Sequence, residues 1–188
     1  MSAATKNRAG ARYGMAVDTQ ACVGCSACAI ACKTENGVPA GHTRRWIIQR
    51  TEGRFPDLTM MVWSDCCQHC DDPPCVDSCP TGASHVHEPT GTTQVDRNKC
   101  TGCKACVASC PYDARYVHPV GYVDKCTLCL HLVERGERTA CEEVCPTAAI
   151  VVRDLDDSSS DLSRAVRARR SLRQRVEAGT GPRFFLFT

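Results

Sequence analysis

Apolar positions along the chain come in short bursts, none approaching the 18 or more consecutive residues of a membrane helix. Three bursts end alike. Val17-Asp18, Val95-Asp96 and Val123-Asp124 each stand a few residues ahead of a dense cysteine group, which predicts a short strand leading into at least three loops. Behind the groups, Cys79-Pro80-Thr81-Gly82-Ala83, Cys110-Pro111-Tyr112-Asp113-Ala114 and Cys145-Pro146-Thr147-Ala148-Ala149 run into SHVH, RYVH and IVV. Their β-branched content predicts short return strands, and the proline after the cysteine ends the preceding helical turn. Residues 34–60, with Pro39, Gly41, Gly53 and Pro56 around Trp46-Ile47-Ile48, read as a loop with a short strand or surface element. After a linker at Ser158-Ser159-Ser160, the stretch DLSRAVRARRSLRQRV places Leu162, Val166, Leu172 and Val176 at roughly helical spacing. It predicts an amphipathic helix with a solvated basic face. Phe184, Phe185, Leu186 and Phe187 are odd for an exposed tail and are expected to pack as a strand on this chain or a partner.

Composition changes this picture. The chain has 188 residues, room for one large domain or two small ones. Hydrophobic residues make up 43%, but 17 of them are cysteines and only 5% of the chain is aromatic, so an ordinary apolar core is not expected. A formal charge of +2 lies too near neutrality to suggest nucleic acid or an anionic membrane surface. The opening stretch MSAATKNRAGARYGMAVDTQA holds only scattered small apolar residues and lacks the apolar core of a secretory signal. The chain reads by itself as soluble and unexported, where disulfides are rare, and an odd cysteine count weakens the disulfide reading further.

Spacing points to metal loops. Cys22, Cys25, Cys28 and Cys32 are separated by two, two and three residues, and Cys100, Cys103, Cys106 and Cys110 repeat that spacing and end in proline. This is the run by which bacterial ferredoxins hold [4Fe–4S] cubanes: three cysteines grip one cluster and the fourth ligates another. Cys67, Cys70, Cys75 and Cys79 widen one spacing to four residues, and Cys126, Cys129, Cys141 and Cys145 widen it to eleven. Four groups of four supply ligands for four cubanes and leave Cys66 over. Gly24 and Gly102 sit inside the loops, where a missing Cβ lets backbone N–H groups approach inorganic sulfur. Group one departs from the pattern, with Lys33 where proline would stand. A four-cysteine zinc site also begins with two-residue spacings, but three successive ones are hard to fit around one tetrahedral ion. Only Cys67 keeps the two-residue spacing to Cys70, so Cys66 reads as a buried bystander and not a ligand. His69, His85, His87, His118 and His131 lie near the groups but are expected to line the surroundings or the surface. Lys99, Lys104 and Lys125 can raise cluster potentials through their charge, although a solvated lysine is the default.

The stretches CKTENGVPAG (32–41), CDDPPCVDSCPTGASHVH (70–87) and CKACVASCPYDARYVHPVGYVDKCTLCLH (103–131) make the chain recognisable. It resembles the four-cluster iron–sulfur subunits of the dimethyl-sulfoxide-reductase family of molybdopterin oxidoreductases. Within that family it is most similar to the electron-transfer subunits of polysulfide, thiosulfate and respiratory arsenate reductases. The likeness covers most of residues 13–152, and the tail GTGPRFFLF is similar to the family's C-terminal strand. The resemblance implies an α+β fold of two bacterial-ferredoxin-like modules, each binding two [4Fe–4S] clusters, the inner inserted into the outer. Cross-ligation then implies cluster A on Cys22, Cys25, Cys28 and Cys145, and cluster B on Cys126, Cys129, Cys141 and Cys32. Cluster C would lie on Cys67, Cys70, Cys75 and Cys110, and cluster D on Cys100, Cys103, Cys106 and Cys79. The outer module comprises 13–33 with 123–152 and the inner one 61–122. Residues 34–60 connect them, and 153–188 pack on the chain itself or a partner.

The function implied is one-electron transfer between a large molybdopterin catalytic subunit and a quinone-reactive integral-membrane subunit. The alternative is a free-standing polyferredoxin serving diffusing enzymes. No nucleophile, general base or substrate pocket is evident, so the chain is expected to be non-catalytic, with no small-molecule substrate of its own. Loaded with four clusters it would carry roughly −6 in place of +2. The long spacer LHLVERGERTA (130–140) is open to two readings, a tolerant surface loop or a subunit contact. Export with a twin-arginine partner would place the chain peripherally on the outer side of a membrane, and the cytoplasmic side stays open.

Overall fold

A computed structural model describes residues 10–188; residues 1–9, part of the opening stretch lacking a signal-like core, lie outside them. Strand β1 (Tyr13–Asp18) leads into the first cysteine loop and helix α1 (Ala27–Glu35) follows it. Strands β2 (Arg45–Arg54) and β3 (Asp57–Cys66) then form one long antiparallel hairpin, paired from Arg45↔Cys66 to Arg54↔Asp57 around a cis Phe55–Pro56 bond. This corrects the expectation of a loop with a short strand over 34–60. The half near Cys66 is buried, whereas the tip is exposed on both faces, so the apolar alternation that marks a strand fades between Gln49 and Met60.

The middle of the chain is built from very short pieces. Helix α2 (Pro74–Asp77), strands β4 (Ser84–Val86) and β5 (Thr93–Val95), helix α3 (Ala105–Ala108), and strands β6 (Tyr116–Val117) and β7 (Val123–Asp124) follow in order. β4 pairs with β5 and β6 with β7, both antiparallel. α2 packs on α3, and Ser78 and Ser109, each preceding the fourth cysteine of its group, touch Oγ to Oγ at 2.9 Å.

Helix α4 (Leu130–Val133) lies in the long spacer, helix α5 (Ala140–Glu143) starts at its last residue, and α5 packs on α1. Strand β8 (Ile150–Asp154), helix α6 (Asp161–Ala168) and strands β9 (Ser171–Leu172) and β10 (Phe184–Phe187) complete the fold. The principal sheet has the order β8-β1-β10-β9. β1 runs antiparallel to β8 (Met15↔Val152) and parallel to β10 (Met15↔Phe184). Alternation divides its faces. Met15, Val17, Ile150, Val152, Phe184 and Leu186 face a core shared with Trp63, Cys28, Cys66, Cys126 and Cys141. Ala16, Phe185 and Phe187 face Leu155 and Leu162 beneath α6. α6 begins at Ser160, whose Oγ accepts from the Ser163 N–H at 3.1 Å, and ends at Ala168, eight residues short of the stretch expected from spacing. Leu172 pairs with Leu186 at the sheet edge instead, and Val176 is exposed: strand pairing overrides helical periodicity there.

Candidate iron–sulfur sites

The four cysteine loops share one backbone shape. The third position of each is left-handed: Gly24 (φ +68°), Gly102 (φ +69°), His69 (φ +44°) and Leu128 (φ +56°). Glycine adopts this conformation at no steric cost, and two loops impose it on side chains that strain there. A Cβ on Gly24 would meet Val62 Cγ1 at 3.0 Å, and one on Gly102 would strike the Gly121 carbonyl oxygen, so protein packing demands glycine here as well. Ser26 and Lys104 are also left-handed and start α1 and α3 at equivalent places. The exits repeat: Gly82, Asp113 and Ala148 have φ of +65°, +50° and +50°. Pro80, Pro111 and Pro146 follow four-residue helices, whereas α1, with Lys33 in that place, runs on for nine residues.

Two cavities are lined by thiols. One is bounded by Cys22, Cys25, Cys28 and Cys145. The other is bounded by Cys79, Cys100, Cys103 and Cys106. Two further gatherings are buried. Around Cys32, burial and then the neighbouring Cys126, Cys141 and Cys129 push the thiol up, and Cys129 is pushed up to about 11, chiefly by burial. Asn36 Nδ2 reaches the sulfurs of both Cys32 and Cys129 at 3.8 Å. Around Cys70, burial with Cys67, Cys75 and Cys110 drives the thiol up to about 12. The fourth cysteine of each group thus stands among the first three of a different group.

Amides converge on these sulfurs. Ser84 N–H donates to Cys79 Sγ, Val123 N–H to Cys100 Sγ and Ala149 N–H to Cys145 Sγ, each at 3.3 Å, and Leu128 N–H to Cys126 Sγ at 3.4 Å. Burial opposes ionisation of Cys79 and Cys145, but these amides and the hydroxyls of Thr81 and Thr147 bring both below the usual thiol range. Thiols bathed in N–H donors fit iron–sulfur clusters, whose potentials respond to such bonds.

Charge is buried among the thiols. Arg45 (1% exposed) donates to Ser64 Oγ at 3.2 Å and Cys66 Sγ at 3.3 Å, and Ser64 Oγ in turn holds Cys28 Sγ at 3.1 Å. Arg115 (6% exposed) donates to Cys75 Sγ at 2.8 Å and Ser84 Oγ at 2.9 Å. Lys125 corrects the solvated default: it is 1% exposed and donates to the carbonyls of Thr93 and, at 2.7 Å, Cys126, while Lys99 and Lys104 are exposed. Burial pulls its ammonium down, and the Cys67, Cys126 and Cys75 thiols push it back up. Arg44 is also buried but grips Asp124 bidentately at 2.9 and 2.7 Å. Cys66 is fully buried, and hydrogen bonding with Cys126 and then burial push its thiol up, while Cys126 is held down. His69 is buried, takes the Thr93 N–H at 3.2 Å and is driven down to about 4 by burial and then Lys125. His85 meets the Ala83 carbonyl, His87 meets Thr90, His118 stacks on Tyr122 and His131 meets Glu35 at 2.7 Å. None of the five lines either thiol cavity. The buried Arg44, Arg45 and Arg115 went unnoticed in the sequence, where the only hints are an Arg-Arg pair before Trp46 and an arginine opening one exit strand.

Residues 58–155 match the family model described as a 4Fe-4S dicluster domain. The chain is similar to Protein NrfC of Escherichia coli (strain K12), 42% identical over 186 residues that cover 97% of this chain and 83% of the relative. It is 39% identical over 179 residues to the B component of the polysulfide reductase of Wolinella succinogenes, covering 93% of each. With the arsenate respiratory reductase iron-sulfur subunit ArrB of Shewanella sp. (strain ANA-3) it shares 34% identity over 223 residues, covering 93% of this chain and 95% of the relative.

Proposed function

This chain belongs to the 4Fe-4S dicluster family of electron-transferring iron–sulfur subunits, and from that premise we propose that it is a four-cluster wire between a molybdopterin catalytic subunit and a quinone-linked membrane subunit. Clusters A to D lie on the quartets set out above, in an inner module (61–122) inserted into an outer one (13–33 and 123–152). One observation carries the reading: Cys145 lines a cavity with Cys22, Cys25 and Cys28, and Cys79 lines one with Cys100, Cys103 and Cys106. The packing of α1 on α5 and of α2 on α3 supports the same pairing of groups.

Bound [4Fe–4S] clusters supply one-electron donors and acceptors. The chain's part is to hold and tune them. The cysteines fix their places, the N–H donors of Ser84, Val123, Leu128 and Ala149 soften the sulfur charge, and the core under β1 and β10 keeps water from the buried quartets. The role is non-catalytic, and the chain's leverage lies in positions and potentials. Peripheral attachment on the outer side of the membrane follows from export with a catalytic partner; among the described residues no helix is long and apolar enough to cross a membrane. Relatives named as components and subunits of reductases weigh against the free-standing polyferredoxin.

Anaerobic purification from native membranes tests this, with iron, sulfide and molybdenum quantified and co-purifying chains identified. About 16 iron atoms per chain beside one molybdenum in a large partner is the expected result. Iron without molybdenum or a partner would leave the polyferredoxin. Cys103→Ser is expected to disturb one cluster and spare three, counted by electron paramagnetic resonance, and an unchanged spectrum would sink the ligand assignment.

A further inference from the structure

Three cations are buried here with no carboxylate within ion-pair distance among the described residues: Arg45, Lys125 and Arg115. Their neighbour Arg44 shows the ordinary solution, a bidentate pair with Asp124. Asp65 lies near enough for Arg45 to stabilise its charge, but not as an ion-pair partner, and a buried cation without a paired anion is costly, so the thiols around these cations are left to carry the compensating charge. Each of the three lies where two different cysteine quartets meet. Arg45 reaches Cys28 of quartet A through Ser64, and the Cys141 and Cys126 thiols of quartet B favour its charge against burial. Lys125 donates to the carbonyl of Cys126 in quartet B and faces Cys67 and Cys75 of quartet C. Arg115 donates to Cys75 of quartet C and to Ser84, whose own N–H holds Cys79 of quartet D.

We propose that Arg45, Lys125 and Arg115 are fixed charges set one at each junction of the series A–B–C–D, where each makes reduction of the two clusters it faces more favourable. The inference rests on the four-cluster reading. An electron added to one cluster raises the negative charge felt by the next, and a cation between them offsets that repulsion in a medium where water cannot. The cations exchange neither electrons nor protons in the step. Their effect is local, because each is held by short bonds to carbonyl, hydroxyl or thiol groups and cannot swing toward a third cluster. The series order follows from the same contacts: Arg45 joins A to B, Lys125 joins B to C and Arg115 joins C to D.

The test is a potentiometric titration of the cluster-loaded full chain in its complex, followed by electron paramagnetic resonance, with centres assigned through single Cys→Ser variants. Lys125→Met is expected to make reduction of B and C about tenfold less favourable, about 59 mV for one electron, while A and D stay put. Lys125→Arg, which keeps the charge, is expected to restore the wild-type values, and Arg115→Gln to move C and D only. A uniform shift of all four centres, no shift with iron content intact, or equal shifts in Lys125→Met and Lys125→Arg would overturn the proposal. So would loss of iron from the neutral variants at both junctions, since the cations would then be assembly elements. A wild-type protein with fewer than four reducible centres would instead overturn the four-cluster reading beneath it.

Discussion

Residues 61–122 and the sheet β8-β1-β10-β9 support similar cysteine loops by different means. From α2 to β7 the chain has four-residue helices and ribbons of three and two residues, and a small apolar cluster gathers around Cys75, Cys106 and Val123. Two-stranded ribbons of that length are not stable alone. The sheet, by contrast, buries side chains on both faces, with Phe184 and Leu186 toward the thiols and Phe185 and Phe187 toward α6. With the proposed clusters bound, the first region beyond Cys66 would have metal for much of its interior, whereas the sheet has a protein core, which Trp63 and Cys66 join.

The sharpest way to break that contrast is to remove the iron. Anaerobic chelation is expected to abolish amide protection across 67–122 while β1, β8 and β10 stay protected, read by hydrogen exchange with mass spectrometry. Equal loss in both regions would erase the distinction. Next in size, Phe184→Ala is expected to cost about 3–5 kcal/mol in the iron-depleted sheet, measured from denaturant midpoints. Ser160→Ala removes the cap of α6 and should cost about 1 kcal/mol, felt by the sheet and not by 61–122. The smallest effect concerns Asp18, which takes Arg169 Nη2 at 2.8 Å. Burial raises its carboxyl, but Arg169 and the Gln20 amide bring it below its usual value. A depressed folded pKa contributes stability above the unfolded value of about 3.9, lost as pH falls through the folded one. Arg169→Ala should therefore cost at most about 1 kcal/mol near neutrality through Asp18, and its difference from wild type should shrink in acid to what the lost stack on Phe187 leaves.

Those same regions differ in how far they could be read from sequence. Loop entries at Val17-Asp18, Val95-Asp96 and Val123-Asp124, and exits at β4, β6 and β8, were legible because turn chemistry and cysteine spacing are local. The tail was legible as a strand, yet not its parallel partner: nothing near Phe184 in the chain names Met15. The β2–β3 hairpin was missed because its outer half is polar on both faces, and Phe55 at its tip is 88% exposed. α6 was overread because Leu172 and Val176 keep helical spacing while the edge of β10 offers a better partner. At the site, the groups and the burial of Cys66 were readable and Lys125 was singled out for its charge, whereas its burial, and Arg45 and Arg115 altogether, were not. A charged residue defaults to solvent, and only the assembled fold puts these three in the interior.

The pairing of β1 with β10 also sets an order of events. Met15 finds its partner at Phe184, so at ordinary rates of synthesis β1 waits on the order of ten to thirty seconds on the ribosome before that partner is made. The proposed ligands of clusters C and D are complete once Cys110 has emerged, whereas those of A and B need Cys145. On that proposal the metal can be loaded from one end of the series before the other, and β10 closes the sheet over an interior already assembled.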